Sequence, residues 1–326
     1  MMKTLAEFRA VYQTPLPDLL FRAASVHRQH HDPADIQRCV LLSIKTGGCP
    51  EDCGYCAQSA HFTTGVDATP LLSVEEVRDK ATKAKELGAS RFCMGTAWRE
   101  VKDGAQFEQV LDMVRTVRDL GMEACVTLGM LTESQAEQLA EAGLTAYNHN
   151  LDTSREYYPN VISTRTYDDR LQTLQAVQKA GISVCCGGII GMGESEDDRL
   201  RLLVELSNLD TPPESVPINC LVPIAGTPLA EVRPVDSIEL VRLIATARVA
   251  FPKARVRLSA GRDRMSRELQ ILCFMAGANS IFFGDKLLTA PNPSAEGDAD
   301  LFRAMGLPTG MAHGSCGETR RSLAVL

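Results

Sequence analysis

Three cysteines lie close together in the segment GGCPEDCGYCAQ, where Cys53 follows Cys49 by four residues and Cys56 follows Cys53 by three. Thiolate ligands favour zinc or iron–sulfur clusters. Three ligands on a four-iron cluster leave one iron open, as a catalytic metal keeps a position for its substrate. Three thiolates with one position left open are therefore compatible with a catalytic iron–sulfur cluster. The alternative is a zinc loop completed by His61 or by a distant cysteine.

Three more cysteines lie inside short apolar segments that read as strands: Cys93 in RFCMG, Cys125 in EACVT and Cys185 in SVCCGG. Side chains alternate across a strand, so these thiols could meet inside a barrel. The alternative is that they are small core residues. Cys185 and Cys186 are adjacent and face opposite sides of the strand, so only one of the two can be a ligand. The remaining cysteines are predicted to be packing residues or, for the last, a bystander: Cys39, Cys220, Cys273 and Cys316.

The elements that must position these residues alternate between apolar, β-branched runs and amphipathic segments from residue 40 to 290. Several helical segments open with Ser or Thr and end with Gly, and SVEE and TESQ have the capping-box form. Eight strand candidates with helical crossovers predict a (β/α)8 TIM-type barrel, with a doubly wound open sheet as the alternative. We expect a helical N-terminal cap over residues 1–38, the barrel over 39–292 and a weakly ordered tail over 293–326.

The composition excludes several classes of function. The 326 residues are 44% hydrophobic and carry a formal net charge of −7, without a basic block. Nucleic acid and an anionic membrane are therefore not expected as partners. Charge and proline interrupt the N-terminus, so no signal peptide is predicted, and no apolar run approaches a membrane span. We expect a cytoplasmic protein, in which disulfides do not explain eleven cysteines.

The loop cysteines, with Tyr55 before the last of them, resemble the radical S-adenosylmethionine superfamily. In that superfamily three cysteines bind a [4Fe–4S] cluster whose open iron chelates S-adenosylmethionine. The segment GGIIGMGE, Gly187–Glu194, matches the glycine-rich pattern that lies along the cofactor in the same superfamily. The resemblance assigns further residues to the cofactor site: Tyr55, Gly95, Thr96, Asn150, Asp152, Arg170, Gly188 and Ile189.

From about residue 20 to 293 the chain resembles the biotin synthase family. The segments that carry the resemblance are KTGGCPEDCGYCAQS, RFCMG, MEACVTLG, YNHNLDTSREYYP, TRTYDDRLQTL, CCGGIIGMGE, ESVPINCLVPIAGTPL, VRLSAG and FMAGANSIFFGDKLLT. The resemblance implies radical insertion of sulfur into dethiobiotin to form biotin. It also implies a [2Fe–2S] cluster, the sulfur donor, bound by Cys93, Cys125, Cys185 and Arg257. The same register selects Cys185 over Cys186, which is then predicted to pack against the helices. Arginine is a rare metal ligand, and the alternative is that Arg257 only offsets the charge of the thiolates.

The resemblance also implies roles around the cofactor and the substrate. Asp152 would bind the ribose, Asn150 would lie between cofactor and substrate, and Arg170 would pair with the methionine carboxylate unless it is a solvated helix residue. Asn219 would bind the ureido group of dethiobiotin, which an amide suits because it both donates and accepts. Thr289 would contact the substrate carboxylate, although Ala290 stands where the family often has a second threonine. His149 is predicted to be a core or supporting histidine.

Two other functions compete with this interpretation. One is another radical S-adenosylmethionine enzyme, a lyase or a lipoyl-type sulfur inserter, but lipoyl-type enzymes carry an extra N-terminal cysteine cluster and residues 1–38 contain no cysteine. The other is a non-catalytic iron–sulfur or zinc scaffold. The resemblance further implies an external electron donor of the flavodoxin type and a homodimer.

Overall fold

A computed structural model of the chain describes residues 4–284 and 286–309. Parallel strands form a sheet in the order β5-β4-β3-β2-β1-β9-β8-β7-β6, and a further pairing of β5 with β7 closes it. The strands are β1 (Gln37–Lys45), β2 (Arg91–Thr96), β3 (Glu123–Thr127), β4 (Ala146–Asn148), β5 (Ser183–Cys185), β6 (Gly188–Ile190), β7 (Ser215–Cys220), β8 (Arg255–Leu258) and β9 (Ser280–Phe282). β5 and β6 are two parts of one staggered strand. The predicted closed eight-stranded barrel is therefore confirmed, and the open sheet is excluded.

Helices connect the strands and cover the outside of the barrel. They are α1 (Leu5–Tyr12), α2 (Leu16–His30), α3 (Val74–Glu86), α4 (Ala105–Asp119), α5 (Glu133–Glu141), α6 (Tyr167–Lys179), α7 (Glu196–Ser207), α8 (Ser237–Ala250), α9 (Arg267–Met275) and α10 (Ala295–Ala304). Ser73 and Thr132 form the predicted capping boxes at the starts of α3 and α5. A short hairpin, β10 (Lys286–Leu287) and β11 (Ala290–Pro291), follows β9.

The first two helices pack on the outside of the barrel. α2 contacts α8, and α1 contacts both α7 and α8. Phe8 and Leu19 are fully buried in this packing, and Arg9 forms an ion pair with Asp197. The helical segment predicted within residues 1–38 is therefore present, and its apolar side joins the main core. Among the described residues, no helix combines the length and apolar character that crossing a membrane requires.

The segment after residue 293 differs in part from the expectation of a weakly ordered tail, because residues 295–304 form α10. The cause is a contact distant in sequence: the buried carboxylate of Asp298 accepts hydrogen bonds from the buried guanidinium of Arg262. Leu301 and Phe302 are also buried. Residues 310–326, including Cys316, lie outside the described part of the chain.

The core has two parts. The larger lies between the barrel and its helices and includes the fully buried Cys186 and Cys273, as predicted for packing residues. The smaller lies inside the barrel and contains Cys39, Cys93, Cys125, Ala146, Phe282 and Leu287. Barrel interiors are usually filled by bulky branched residues. Here cysteine and alanine take several of these positions, which leaves room for another group inside the barrel.

Candidate active site

One cavity of about 320 Å³ opens inside the barrel and collects most of the residues predicted from the sequence. Its lining includes Cys49, Cys53, Tyr55, Cys56, Cys93, Gly95, Thr96, Cys125, Asn150, Asp152, Arg170, Ile189, Asn219, Arg257 and Thr289. Cys185 and Gly188 are buried but do not line it. Residues from the loop after β1 and from deep strand positions therefore share one internal space.

The loop after β1 presents its three thiols to this cavity. Cys49 and Cys53 are buried, and Cys56 is partly exposed. Burial raises the pKa of Cys53 to about 12 and that of Cys56 to about 11, so both thiols are neutral without metal. Because a cluster binds thiolates, its insertion would release these protons. Arg165 Nη2 lies 3.9 Å from Cys53 Sγ, so its positive charge would stabilise the thiolate that forms when the proton is released.

A buried ion pair lies beside the loop. Arg170 Nη2 donates to Asp152 Oδ2 at 2.5 Å, and Tyr55 Oη donates to the same oxygen at 2.8 Å. The side chains of Arg170 and Asp152 are only 4% and 2% exposed. Burial works to lower the pKa of Arg170, but Asp152, together with Tyr158, Tyr55 and Cys53, raises it overall. Arg170 is thus a buried, paired cation, and the alternative of a solvated helix residue is wrong.

Asp152 and Asn150 follow β4 rather than lying in it. Asp152 has a φ of 67°, in the left-handed region that few residues other than glycine adopt. Its backbone carbonyl accepts from Ile189 N at 2.7 Å, which fixes this turn against β6. The alternation that would place two strand residues of this spacing on one face therefore does not apply to this pair. Both side chains nevertheless line the cavity, because the turn redirects Asp152.

The glycine-rich segment allows this close approach. A Cβ on Gly187 would lie 1.9 Å from the carbonyl oxygen of Pro217, and one on Gly188 would lie 2.7 Å from the carbonyl oxygen of Asp152. Only glycine fits at such backbone contacts. Asn219 Nδ2 donates to Gly188 O at 3.0 Å, and its Oδ1 accepts from Ala260 N at 3.2 Å. The amide is therefore held in one orientation toward the cavity.

Cys93, Cys125 and Arg257 line the deep end of the cavity, and the buried Cys185 contacts Arg257. Cys93 pairs in register with Cys125 on the neighbouring strand, and the two thiols are in side-chain contact. Arg257 Nη1 donates to Cys185 Sγ at 3.5 Å, so Cys185 faces the interior whereas Cys186 packs in the outer core. The structure thus brings together the four residues predicted to hold a second cluster.

The guanidinium of Arg257 is fully enclosed. Its Nε donates to Ser280 Oγ at 2.9 Å, and Nη2 donates to Cys39 Sγ at 3.3 Å. Burial works to lower the pKa of Arg257, but its sulfur neighbours Cys39, Cys185 and Cys93 together raise it overall. Arg257 is therefore a cation among sulfur atoms. This is what the alternative role, in which it offsets the charge of the thiolates, requires.

A second arginine closes the barrel below the thiols. Arg91 Nε lies 2.7 Å from Glu123 Oε2, and its Nη1 lies 3.0 Å from Glu214 Oε2. The Arg91 side chain is 1% exposed. Gln37 extends this network, because its Nε2 donates to Glu123 at 3.1 Å while its Oε1 accepts from Ser280. These residues form the barrel floor, a polar layer directly under the sulfur atoms.

Sequence reasoning missed the contribution of Cys39, which it placed with the packing residues. Its thiol contacts both Arg257 and Cys93 inside the barrel. It also missed Arg165, although TRTY lies within a segment that carried the resemblance. Cys220, predicted to pack, is partly exposed and lines the cavity. His149 is buried and lines it too, with its pKa lowered by burial, so the ring is neutral.

The residues fit iron–sulfur clusters better than single metal ions. Within residues 4–284 and 286–309, no three His, Cys, Asp or Glu side chains converge closely enough to hold one ion. His61 directs Nε2 to the carbonyl oxygen of Pro50 at 3.0 Å. A cluster spreads its thiolates over two or more irons, so its ligands need not converge on a point. Ser259 Oγ, which lines the cavity, is buried without a hydrogen-bond partner in the described part of the chain, as a donor toward a bound group would be.

Comparisons with known proteins agree with this geometry. Residues 43–206 match the model of the Radical SAM superfamily, and residues 217–308 match that of the Biotin and Thiamin Synthesis associated domain. The biotin synthase of Methylobacterium nodulans is 65% identical over 94% of this chain and 92% of its own length. That of Gloeobacter violaceus is 60% identical over 94% and 96%.

Solved structures support the fold at lower identity. Methylornithine synthase superimposes with a TM-score of 0.77 at 18% identity and covers 94% of both chains. An FeFe-hydrogenase maturase from Carboxydothermus hydrogenoformans also gives 0.77, at 17% identity, over 93% of this chain and 75% of its own. These two show the barrel fold alone, whereas the close relatives show the family. The chain belongs to the biotin synthase family of radical S-adenosylmethionine enzymes.

Proposed function

We propose that the chain inserts sulfur into dethiobiotin to form biotin, with S-adenosylmethionine, a [4Fe–4S] cluster and a [2Fe–2S] cluster as its cofactors. The observation that carries this proposal is the internal cavity lined by the three loop cysteines, by Cys93, Cys125 and Arg257 of the barrel set, and by the polar residues between them. The reacting carbons of dethiobiotin are saturated and not acidic, so side chains acting as acids, bases or nucleophiles have nothing to attack. When bound, the cofactors supply the radical and the sulfur that the side chains lack.

The two cysteine sets would hold the two clusters. Cys49, Cys53 and Cys56 would bind the [4Fe–4S] cluster near the mouth of the barrel. Cys93, Cys125, Cys185 and Arg257 would bind the [2Fe–2S] cluster above the barrel floor. The walls between them are buried, which would keep water and stray hydrogen donors away from the reaction. Radical and sulfur source would therefore face the substrate from opposite ends of one cavity.

The polar residues between the clusters would orient S-adenosylmethionine. Asp152, held by Tyr55 and Arg170, would accept the ribose hydroxyls, and its fixed turn would set their position. Arg170, already a buried cation, would attract the methionine carboxylate, which a guanidinium binds with matched geometry. The remaining contacts would come from residues around the cofactor: Gly95, Thr96, Asn150, Gly188 and Ile189.

Dethiobiotin would lie between the cofactor and the barrel thiols. Asn219, whose amide is already oriented by two backbone contacts, would bind the ureido group, while Asn150 would separate substrate from cofactor. Thr289 in the β10–β11 turn would contact the substrate carboxylate. Ala290 also lines the cavity but has no hydroxyl, so Thr289 would make this contact without a second threonine.

Several wider features belong to the same proposal. An external reductant of the flavodoxin type would supply electrons, and the enzyme would act as a homodimer in the cytoplasm. Residues 39–292 would form the catalytic barrel, between an N-terminal cap over 1–38 and a C-terminal tail over 293–326. Within that C-terminal segment, α10 is anchored to the barrel through the contact of Asp298 with Arg262, so the folded region extends past residue 293.

An anaerobic single-turnover reaction tests the function. Reconstituted protein, S-adenosylmethionine, dethiobiotin and a reductant should yield biotin and 5′-deoxyadenosine by mass spectrometry. Cys53→Ser should abolish both products, whereas Cys125→Ala should abolish biotin and spare deoxyadenosine. Cys273→Ala, a buried cysteine outside the cavity, should retain both. Protein that carries iron and sulfide but forms neither product would refute the proposed function.

A further inference from the structure

Cys39 is a fourth thiol inside the barrel. It is fully buried, belongs to the interior cluster with Cys93 and Cys125, and is in side-chain contact with Cys93. Arg257 Nη2 lies 3.3 Å from its Sγ, and Ser280 Oγ lies 3.8 Å from it. Four cysteines therefore lie inside the barrel, with Cys93 and Cys125 lining the cavity and Cys39 and Cys185 in contact with Arg257, whereas the family resemblance assigns only three.

Strand register explains why Cys39 faces inward. β1 pairs with β2 so that Leu41 lies opposite Cys93 and Cys39 lies opposite Arg91. Cys39 and Leu41 are two residues apart and thus share the inner face with Cys93. Cys39 consequently stands one step nearer the barrel floor than Cys93, beside the guanidinium of Arg257.

The position of Arg257 relates Cys39 to the cluster. Its Nη1 contacts Cys185 and its Nη2 contacts Cys39, so the guanidinium lies between two sulfur atoms. An iron bound by the Nη atoms of Arg257 would therefore lie near Cys39 as well. A guanidinium has no lone pair to give unless it loses a proton, whereas a thiolate is the ordinary ligand of iron–sulfur clusters. Cys39 is the better donor at the same place.

We propose that Cys39 is a further ligand of the barrel cluster, supplying a thiolate to the iron assigned to Arg257. This inference rests on the proposed [2Fe–2S] cluster. In this arrangement Arg257 and Cys39 are alternative ligands of one iron. When Cys39 binds that iron, the guanidinium of Arg257 remains beside it as a counter-charge. When Arg257 binds it, the thiol of Cys39 remains as a hydrogen-bonding neighbour. The barrel cluster would then keep four protein ligands even without Arg257.

The test uses the full-length protein reconstituted with ⁵⁷Fe and sulfide, read by Mössbauer spectroscopy, which distinguishes the two kinds of cluster. Arg257→Ala should retain a [2Fe–2S] cluster with two similar, sulfur-ligated irons. Adding Cys39→Ala to this variant should change one iron site and shorten the lifetime of the cluster toward a chelator at least tenfold. Adding Cys273→Ala instead, which removes a buried thiol from the outer core, should change neither.

The possible failures are distinguishable. If Arg257→Ala and Arg257→Ala with Cys39→Ala give the same spectrum and the same lifetime, Cys39 is not a ligand, while the proposed function stands. If the wild-type protein assembles no [2Fe–2S] cluster under conditions that load the [4Fe–4S] cluster, both this role and the proposed sulfur source are overturned. Circular dichroism of each variant verifies that the barrel is folded before either comparison.

Discussion

The buried ion pair between Asp152 and Arg170 allows a sharp prediction. Asp152→Asn preserves the shape of the side chain but removes the charge that compensates Arg170, whose side chain is 4% exposed. Breaking a buried pair by removing one partner costs about 3–5 kcal/mol, because the other charge is left uncompensated. The amide oxygen can still accept a hydrogen bond, so we expect a loss of about 2–4 kcal/mol in the free energy of unfolding.

Asp168→Asn is the matched control. Asp168 pairs with Arg155 at 2.7 Å, but these side chains are 65% and 46% exposed. An exposed pair contributes only about 0–1 kcal/mol. Urea unfolding of the two variants and of the wild type, metal-free and with reduced thiols, compares the same substitution at two degrees of burial. Equal losses within about 0.5 kcal/mol would refute the reasoning, because burial would then not govern the contribution of this pair.

Three further predictions follow from other parts of the fold. Gly187→Ala should destabilise the protein by more than about 3 kcal/mol or prevent folding, because its Cβ would lie 1.9 Å from the carbonyl oxygen of Pro217. Asp298→Asn should release α10 from Arg262 and expose the segment after residue 293 to limited proteolysis. His27→Leu should flatten the loss of stability between about pH 6.5 and pH 3, since burial lowers the pKa of His27 to about 3 and only the unfolded chain binds its proton in that range.

Each of these predictions has a control in the same chain. Gly297→Ala, which meets only Ser294 Oγ at 3.4 Å, should leave the urea midpoint unchanged or raise it. Asp300→Asn removes an exposed pair with Arg303 on the same helix and should not alter proteolysis. His30→Leu, at an exposed position of α2, should keep the acid slope. If a control matches its test variant, the corresponding explanation is wrong.

The sequence could predict the barrel because each of its elements has a local signature. Apolar runs such as RFCMG mark the strands, and the capping boxes at Ser73 and Thr132 mark the starts of helices that the structure has. The loop cysteines were also readable, since their spacing is itself the signal. These features depend on neighbours in sequence, which one chain displays directly.

Other features depend on contacts between distant residues and could not be read in this way. Cys39 was placed with the packing cysteines, because only the register of β1 against β2 shows which face it takes. α10 was missed because its anchor is the buried contact of Asp298 with Arg262, 36 residues away. The turn at Asp152 depends on backbone contacts with the neighbouring β6, 36 or more residues later in the chain. Register, burial and strain are properties of the assembled barrel.

The barrel floor also limits the order in which the barrel cluster and the reactants could enter the protein. Arg91, paired with Glu123 and Glu214, closes the lower end beneath the thiols. Among the described residues, the way to Cys93 and Cys125 therefore leads through the cavity that also presents Asp152 and Arg170. Iron and sulfide would have to pass the place proposed here to bind S-adenosylmethionine and substrate. The sulfur source could thus be rebuilt only while the cavity holds no reactants. In each cycle the barrel cluster would have to be restored first, and S-adenosylmethionine and dethiobiotin would enter after it.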